Sequence, residues 1–189
     1  MTGAQPEAAP VTVLVLAGGE SRRFGADKLS AGLRGTTVLD HLLSSLPPEW
    51  RVVAVGAPRE TSRPVEWTRE EPPGGGPLAG VAAGLELVTS DVLAVVAGDM
   101  PYAAAGLVDL VAALHDQPPT VGGVVGTDGD GVANPLLAAY RTAAVRGVLP
   151  HTAHGRPAKT LLGIPHARLA LRGDVTRDVD TRTDLEDLR

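Results

Sequence analysis

Two glycines and three cations stand close together near the start of the chain. Gly18 and Gly19 end an apolar run, and Arg22, Arg23 and Lys28 follow soon afterwards. Glycine lets the backbone turn sharply and present its N–H groups with no side chain in the way, which suits phosphate oxygens. Arginine and lysine add the positive charge that a polyphosphate requires. The residue types and their order therefore predict a phosphate site.

The spacing of the glycines excludes two better-known phosphate motifs. A Walker loop has four residues between its glycines and ends in Gly-Lys-Ser/Thr, whereas five residues separate Gly19 from Gly25. The dinucleotide pattern Gly-x-Gly-x-x-Gly is also missing, because Gly18 and Gly19 are adjacent. The alternative is a simple glycine turn beside solvated charges, but three cations exceed what a turn requires.

Asp99 is the second candidate for chemistry. It follows an apolar run at 92–97 and stands between Gly98 and the pair Met100-Pro101. A carboxylate at the end of a strand suits Mg²⁺, which takes one or two carboxylates and fills its other positions with water and phosphate oxygens. By itself, the same residue serves equally well as a helix N-cap or a turn former. The glycine site gives the metal interpretation its weight.

Short valine-rich runs alternate with amphipathic Ala/Leu-rich segments along the chain, which is typical of successive βα units. The predicted strands are 11–16, 51–55, 92–97, 120–125 and 136–140. The predicted helices are 38–46, 78–88, 103–114 and 142–148. This order predicts a single-domain, three-layer α/β fold with a mostly parallel, doubly wound sheet. Ligands bind such sheets at the carboxyl ends of the strands, so the Gly18 and Asp99 loops are expected to face one ligand.

The two ends of the chain are also assigned from the sequence. Residues 1–10 are expected to be a disordered extension, and 11–189 to form the domain. Near the other end, 175–179 is predicted to be a strand, and the pattern from Thr183 to Glu186 is predicted to be the capping box of a final helix.

Composition narrows the function classes. The formal charge of −5 disfavours broad binding to nucleic acid or to an anionic membrane surface. The chain has no cysteine, which excludes disulfides and thiolate metal sites. It also has no apolar run long enough for a transmembrane helix and no signal-peptide pattern. We therefore expect a cytoplasmic protein with a small ligand and with no nucleic-acid or membrane partner.

Four ordered segments resemble the signatures of the MobA-like nucleotidyltransferases, the molybdenum cofactor guanylyltransferases. The first, Leu16-Ala-Gly-Gly-Glu-Ser-Arg-Arg-Phe-Gly-Ala-Asp-Lys28, is highly specific. The other three are short, and their order and spacing carry the resemblance: Gly76-Pro-Leu-Ala-Gly80, Gly98-Asp-Met-Pro101 and Asp178-Val-Asp-Thr-Arg-Thr-Asp-Leu185. Together they span nearly the whole chain and imply a Rossmann-like nucleotidyltransferase fold.

The resemblance implies transfer of GMP from GTP to molybdopterin, with release of pyrophosphate. It assigns Lys28, together with Arg22 or Arg23, to stabilising the transition state, and Asp99 to catalysis, nucleotide binding and Mg²⁺. The amides of Gly18 and Gly19 would hold the phosphates, with Lys28 beside them. The same resemblance is compatible with a monomer or weak homo-oligomer and with docking to molybdoenzyme maturation proteins.

The resemblance also implies a base pocket. Leu16, Ala17 and Gly18 would form it together with the loop before Gly76-Pro-Leu-Ala-Gly80, and Gly80 is assigned to nucleotide binding. An acidic residue in the loop before Gly76 would accept hydrogen bonds from guanine, and either Glu71, our first choice, or its neighbour Glu70 is available for that role.

The acceptor side departs from the family pattern. Relatives show Asn-x-Asn where this chain has Asp178 and Asp180, so these two carboxylates face either a metal or the acceptor. Asn134 lies where the family places residues near the acceptor. Two other functions stay open: a transferase of the same fold that uses CTP or another NTP with a different phosphorylated acceptor, and a nucleotide-binding protein without catalytic activity.

Overall fold

The structure is a computed structural model that describes residues 10–19 and 24–188. Its strands are β1 Val11–Leu16, β2 Gly32–Leu33, β3 Thr36–Thr37, β4 Arg51–Val55, β5 Glu66–Thr68, β6 Val92–Ala97, β7 Gly123–Thr127, β8 Ala133–Arg141 and β9 His166–Ala170. Its α-helices are α1 Val38–Ser45, α2 Pro77–Leu85, α3 Ala104–His115, α4 Thr142–Val148 and α5 Arg182–Asp187. Short 3₁₀ helices lie at Lys28–Ser30, Ala158–Gly163 and Gly173–Thr176.

One seven-stranded sheet organises the described residues, in the order β5-β4-β1-β6-β8-β7-β9. β4 and β6 flank β1 in parallel, β5 extends the sheet beyond β4, and β7 pairs in parallel with β9. Within this sheet, β8 alone is antiparallel to both of its neighbours, β6 and β7, and its Leu137 lies opposite Val96. The carboxyl ends of the other strands and the amino end of β8 therefore meet at one edge.

Helices cover both faces of the sheet because the central strands are apolar on both sides. Val13 and Val15 of β1 pack on one face, in the layer of α1 and α3. Leu14 packs on the other face, in the layer of α2 and α4. Alternate strand residues point to opposite faces, so a continuous apolar run supplies two cores. The three-layer, mostly parallel fold predicted from the sequence is confirmed.

A third, smaller apolar cluster lies beside the sheet. The β2–β3 hairpin, the start of α1 and α5 build this cluster around Phe24, Leu33, Val38, Val179, Leu185 and Leu188. The Tyr102 hydroxyl donates to the Leu188 carbonyl at 2.9 Å, and Arg34 Nε donates to the same oxygen at 3.3 Å. These contacts fasten the end of α5 to the loop after β6 and to the turn between β2 and β3.

The structure corrects two expectations near the C-terminal end. The segment 175–179 is not a strand: Gly173–Thr176 forms a 3₁₀ helix, and the chain then runs extended without a strand partner among the described residues. The capping box is formed by Thr181 and Asp184, not by Thr183 and Glu186. Two Ser/Thr-x-x-Asp/Glu patterns overlap here, and packing of Leu185 and Leu188 selects the earlier start.

The remaining boundaries agree with the predicted elements to within a few residues. β5, β9 and the β2–β3 hairpin have no counterpart among the predicted strands. β5 and β9 lie at the two edges of the sheet, and most of their side chains are partly exposed, so they lack the valine-rich signal of the central strands. Among the described residues, none of the helices has the length and apolar character needed to cross a bilayer.

Candidate active site

The floor of the site is main chain from three neighbouring strand ends. Ala17 N donates to the Val55 carbonyl and Gly98 N to the Leu16 carbonyl, both at 2.9 Å, so the ladder continues beyond the strands. Gly56 follows β4 with φ +152°, and a Cβ atom there would lie 2.6 Å from the Ala17 carbonyl oxygen. Only glycine fits this crossing.

A cavity of about 510 Å³ opens above this floor, a volume typical of small-molecule sites. Its lining includes six residues predicted from the sequence to bind nucleotide: Leu16, Gly18, Gly19, Lys28, Gly80 and Asp99. The structure thus brings the two predicted loops and the start of α2 to one cavity. Ala17 lies beneath them and is 1% exposed, so it contributes backbone rather than a side chain.

Lys28 lines the cavity and lies in a short helical turn. Asp27 caps this turn by accepting from Leu29 N, and the Leu29 side chain is buried. Lys28 Nζ lies 2.6 Å from Asp99 Oδ2 and 2.8 Å from Asp180 Oδ1. Partial burial works against the charged ammonium, but the hydrogen bonds that Lys28 donates to Asp180 and Asp99 prevail and raise the pKa of Lys28 above its ordinary value.

Three carboxylates converge beside Lys28. Asp99, Asp178 and Asp180 each offer an oxygen atom within 4.8 Å of the others. Asp99 Oδ1 is buried and has no hydrogen-bond partner among the described residues. Asp178 stays exposed at the surface, yet desolvation by neighbouring atoms and the charges of Asp180 and Asp99 raise its pKa. Clustered hard oxygens, one of them buried and unpaired, fit the ligand preference of Mg²⁺ or Mn²⁺.

The loop between β5 and α2 forms one wall of the cavity. Glu70 is half-buried and lines the cavity, and its Oε1 accepts from Gly74 N at 3.1 Å. Glu71 is exposed and does not line this cavity. It lies instead with Glu70, Glu86 and His151 along a separate groove. Of the two candidate base readers, the structure thus places Glu70 at the cavity.

α2 begins at this wall with Pro77 in its first turn, as its sequence suggests. Gly80 is buried one turn later, and a Cβ atom there would lie 3.2 Å from Leu16 Cδ2. The absence of a side chain lets the helix approach the strand end closely, which keeps the wall next to the floor.

The residues predicted for acceptor binding divide into two groups. Asp178 and Asp180 lie with Asp99, as described above. Asn134 does not line the cavity, and its Oδ1 accepts from Leu136 N at 2.9 Å, whereas Leu136 does line the cavity. Arg22 and Arg23 lie outside the described residues.

Arg59 is a site-supporting residue that the sequence did not reveal. Its Nε and Nη2 donate to the two carboxylate oxygens of Asp27 at 2.8 and 3.1 Å, and its Nη1 donates to the Ala17 carbonyl at 3.1 Å. The bonds from Arg59 lower the pKa of Asp27. Arg59 belongs to no motif and lies in the loop after β4, so only the folded chain shows that it joins the turn of Lys28 to the floor.

Comparison with known proteins agrees with this geometry. Residues 13–168 match the model of the MobA-like NTP transferase domain. A probable molybdenum cofactor guanylyltransferase of Mycobacterium tuberculosis is 36% identical over 146 residues, which cover 72% of this chain and 71% of the relative.

Two solved structures share the fold. One is molybdopterin-guanine dinucleotide biosynthesis protein A of Archaeoglobus fulgidus, with a TM-score of 0.70, 20% identity, and coverage of 94% of this chain and 96% of the other. The other is a Mycobacterium tuberculosis protein in complex with manganese, with a TM-score of 0.70, 23% identity, and coverage of 96% and 98%. The family match over most of the chain and the predicted loops gathered at one cavity lead to a single assignment: this chain belongs to the MobA-like NTP transferase family and is a nucleotidyltransferase.

Proposed function

We propose that the protein transfers GMP from GTP to the terminal phosphate of molybdopterin and releases pyrophosphate. The observation that carries the proposal is that Lys28 and Asp99 line a cavity together with Gly18 and Gly19, and that Asp178 and Asp180 lie beside Asp99. A relative that is 36% identical carries the name of a probable molybdenum cofactor guanylyltransferase, which supports the choice of nucleotide and acceptor.

The proposed reaction exchanges one P–O bond for another. A phosphate oxygen of the acceptor attacks the α-phosphorus of GTP, and the bond from that phosphorus to the oxygen bridging to the β-phosphate breaks. The electron pair of the broken bond leaves with pyrophosphate. The transition state needs little covalent help from a protein, so positioning and neutralisation of charge supply the catalysis.

Each group at the site has a part in this scheme. The exposed Gly18 and Gly19 backbone binds and orients the triphosphate, and Lys28 neutralises charge that develops toward the leaving pyrophosphate. Asp99, with Asp180 and Asp178, would hold a divalent cation, for which Mg²⁺ is the natural candidate. The cation, when bound, supplies Lewis-acid stabilisation of phosphate oxygens.

Glu70 is proposed as the reader of the guanine base. Its half-buried carboxylate lines the cavity, where it can accept hydrogen bonds from the N1 and N2 donors of guanine. Leu16, Val55 and Leu136 add apolar surface to the same cavity. Cytosine and adenine do not offer this pair of adjacent donors, so the carboxylate favours GTP.

The test is a transfer assay on the purified protein. It uses molybdopterin, Mg²⁺ and each of the four α-labelled nucleoside triphosphates in turn. Label transferred to the acceptor from GTP alone supports the proposal. Transfer from CTP would replace guanylyl with cytidylyl transfer, and binding of nucleotide without transfer under any condition would indicate a protein without catalytic activity. The Asp99→Asn variant is the control, because it should bind nucleotide but transfer little.

A further inference from the structure

The segment 177–180, just before α5, belongs to no helix or strand, and it brings two carboxylates to the site. Asp178 and Asp180 lie in this segment, with Val179 between them. Val179 is fully buried in the third apolar cluster, and its N–H donates to the Asp99 carbonyl at 2.9 Å. This bond fixes the segment at Val179, but it leaves the direction of the chain at Asp180 to be set by other contacts.

The carboxylate of Asp184 supplies those contacts. Its Oδ2 accepts from Asp180 N at 3.0 Å, from Thr181 N at 2.6 Å and from Thr181 Oγ1 at 2.9 Å. From the N3 side chain, a capping box requires only the bond to the N-cap amide, here that of Thr181. The bond to Asp180 N therefore goes beyond what the start of the helix needs.

The helix that carries Asp184 is itself anchored to the loop of Asp99. Leu185 and Leu188 are buried in the third apolar cluster. The Leu188 carbonyl accepts from the hydroxyl of Tyr102, which follows Asp99 on the same loop. Asp184 therefore lies on a helix that is anchored to the loop of Asp99. Its hydrogen bond to Asp180 N fixes the backbone from which the Asp180 carboxylate extends.

We infer that Asp184 is a positioning residue, which holds the backbone of Asp180 so that the Asp180 carboxylate stays beside Asp99 and Lys28. The inference rests on the proposed function, in which Asp180 and Asp99 hold a divalent cation. Asp184 touches neither substrate nor cation in this scheme. Without it, the backbone amide of Asp180 would lose this bond, and the carboxylates of Asp180 and Asp99 would be less well preorganised for one ion.

The experiment measures Mn²⁺ affinity without nucleotide, by the loss of the free-ion signal in electron paramagnetic resonance. Asp184→Ala should weaken Mn²⁺ binding by roughly tenfold or more, as expected for a residue that orients a metal ligand. Asp184→Asn keeps an oxygen acceptor at the same place and should restore most of the affinity. In turnover assays, Asp184→Ala should lower kcat with a smaller change in the KM for GTP.

Thr37→Ala is the control, because it removes a capping bond from the start of another helix, where the Thr37 side chain accepts from Asp40 N, and Thr37 is not among the clustered carboxylates. It should lower the melting temperature to a similar extent and leave Mn²⁺ affinity unchanged. If Asp184→Ala fails to fold, Asp184→Ser takes its place, since its shorter side chain cannot reach both amides.

Two outcomes overturn the inference alone: unchanged Mn²⁺ affinity in a folded Asp184→Ala or Asp184→Ser variant, or an equal loss in Thr37→Ala. A wild-type protein that binds no Mn²⁺ would instead overturn the metal assignment in the proposed function, and the inference would fall with it. The two failures are therefore distinguishable by the wild-type titration.

Discussion

The ammonium of Lys28 lies between two of the carboxylates that we assign to a cation. Its Nζ is 2.6 Å from Asp99 Oδ2 and 2.8 Å from Asp180 Oδ1, so its positive charge offsets the repulsion between the two carboxylates. A divalent cation that binds these carboxylates competes with Lys28 for them, and the displaced ammonium is then available to phosphate oxygens. Metal and triphosphate binding should consequently support each other through this one side chain.

Replacement of Lys28 by Met tests that coupling. We expect Lys28→Met to bind Mn²⁺ at least as tightly as wild type without nucleotide, because the competing charge is gone. GTP binding should weaken by about 1.5 kcal/mol or more, since a charge-assisted contact is lost. Titration calorimetry of each ligand in the presence and absence of the other measures both effects. Unchanged GTP affinity would exclude Lys28 from phosphate binding.

The two neighbouring glutamates in the β5–α2 loop allow a matched comparison. Glu70→Gln should weaken GTP binding by roughly tenfold, because the amide retains only part of the acceptor capacity of the carboxylate, whereas ATP binding should change little. Glu71→Gln should leave both affinities near wild type, since Glu71 is exposed and lies outside the cavity. The reverse result would return the base-reading role to Glu71.

At the scale of elements, the central sheet could be predicted because burial on both faces demands apolar runs such as β1 and β6. The edge strands could not, because β5 pairs with one neighbour only and buries little of its surface. The residues of the site also divide into those that the sequence could predict and those that it could not. Gly18, Lys28 and Asp99 stand in local motifs, whereas the pairing of Lys28 with Asp180 joins residues far apart in sequence and depends on where α5 packs.

The loops after β1 and β4 approach each other closely at Gly56, and adding one methyl group there tests this contact. Gly56→Ala should lower the free energy of unfolding by about 2 kcal/mol or more, because its φ of +152° disfavours a side chain and the Cβ would meet the Ala17 carbonyl oxygen. Gly129→Ala is the control, since it is exposed and has open space around it. Urea denaturation of both variants gives the comparison, and equal stability would argue against the tight crossing.

At the scale of the whole molecule, the small third cluster differs from the two large cores in the elements that it joins. The two large cores form between the sheet and its helices, whereas the third cluster joins α5 to α1 and to the β2–β3 hairpin. His41 of α1 lies at the border of this cluster, with its ring 4.8 Å from the ring of Tyr102. We therefore expect protonation of His41 to act at the border of this cluster.

Burial and, to a lesser degree, the charge of Arg34 lower the pKa of His41 in the folded chain. As the pH falls through the ordinary value of about 6.5, the unfolded chain takes up the proton first, so stability decreases from that pH down to the folded pKa. His41→Gln should show a shallower loss of stability than wild type between about pH 7.5 and 5.5. Chemical denaturation at several pH values measures this slope, and parallel curves would contradict the expectation.

The main-chain floor of the cavity has a consequence for how such a protein changes over generations. Gly18, Gly56 and Gly98 border that floor and have no side chains. The floor therefore consists mainly of backbone atoms, which every amino acid possesses. Substitutions elsewhere leave these atoms in place, while the wall at 70–76 lies in a loop, where exchange and insertion are more easily tolerated. A lineage can therefore acquire a new base preference at the rim while the platform that we propose for the phosphates is inherited unaltered.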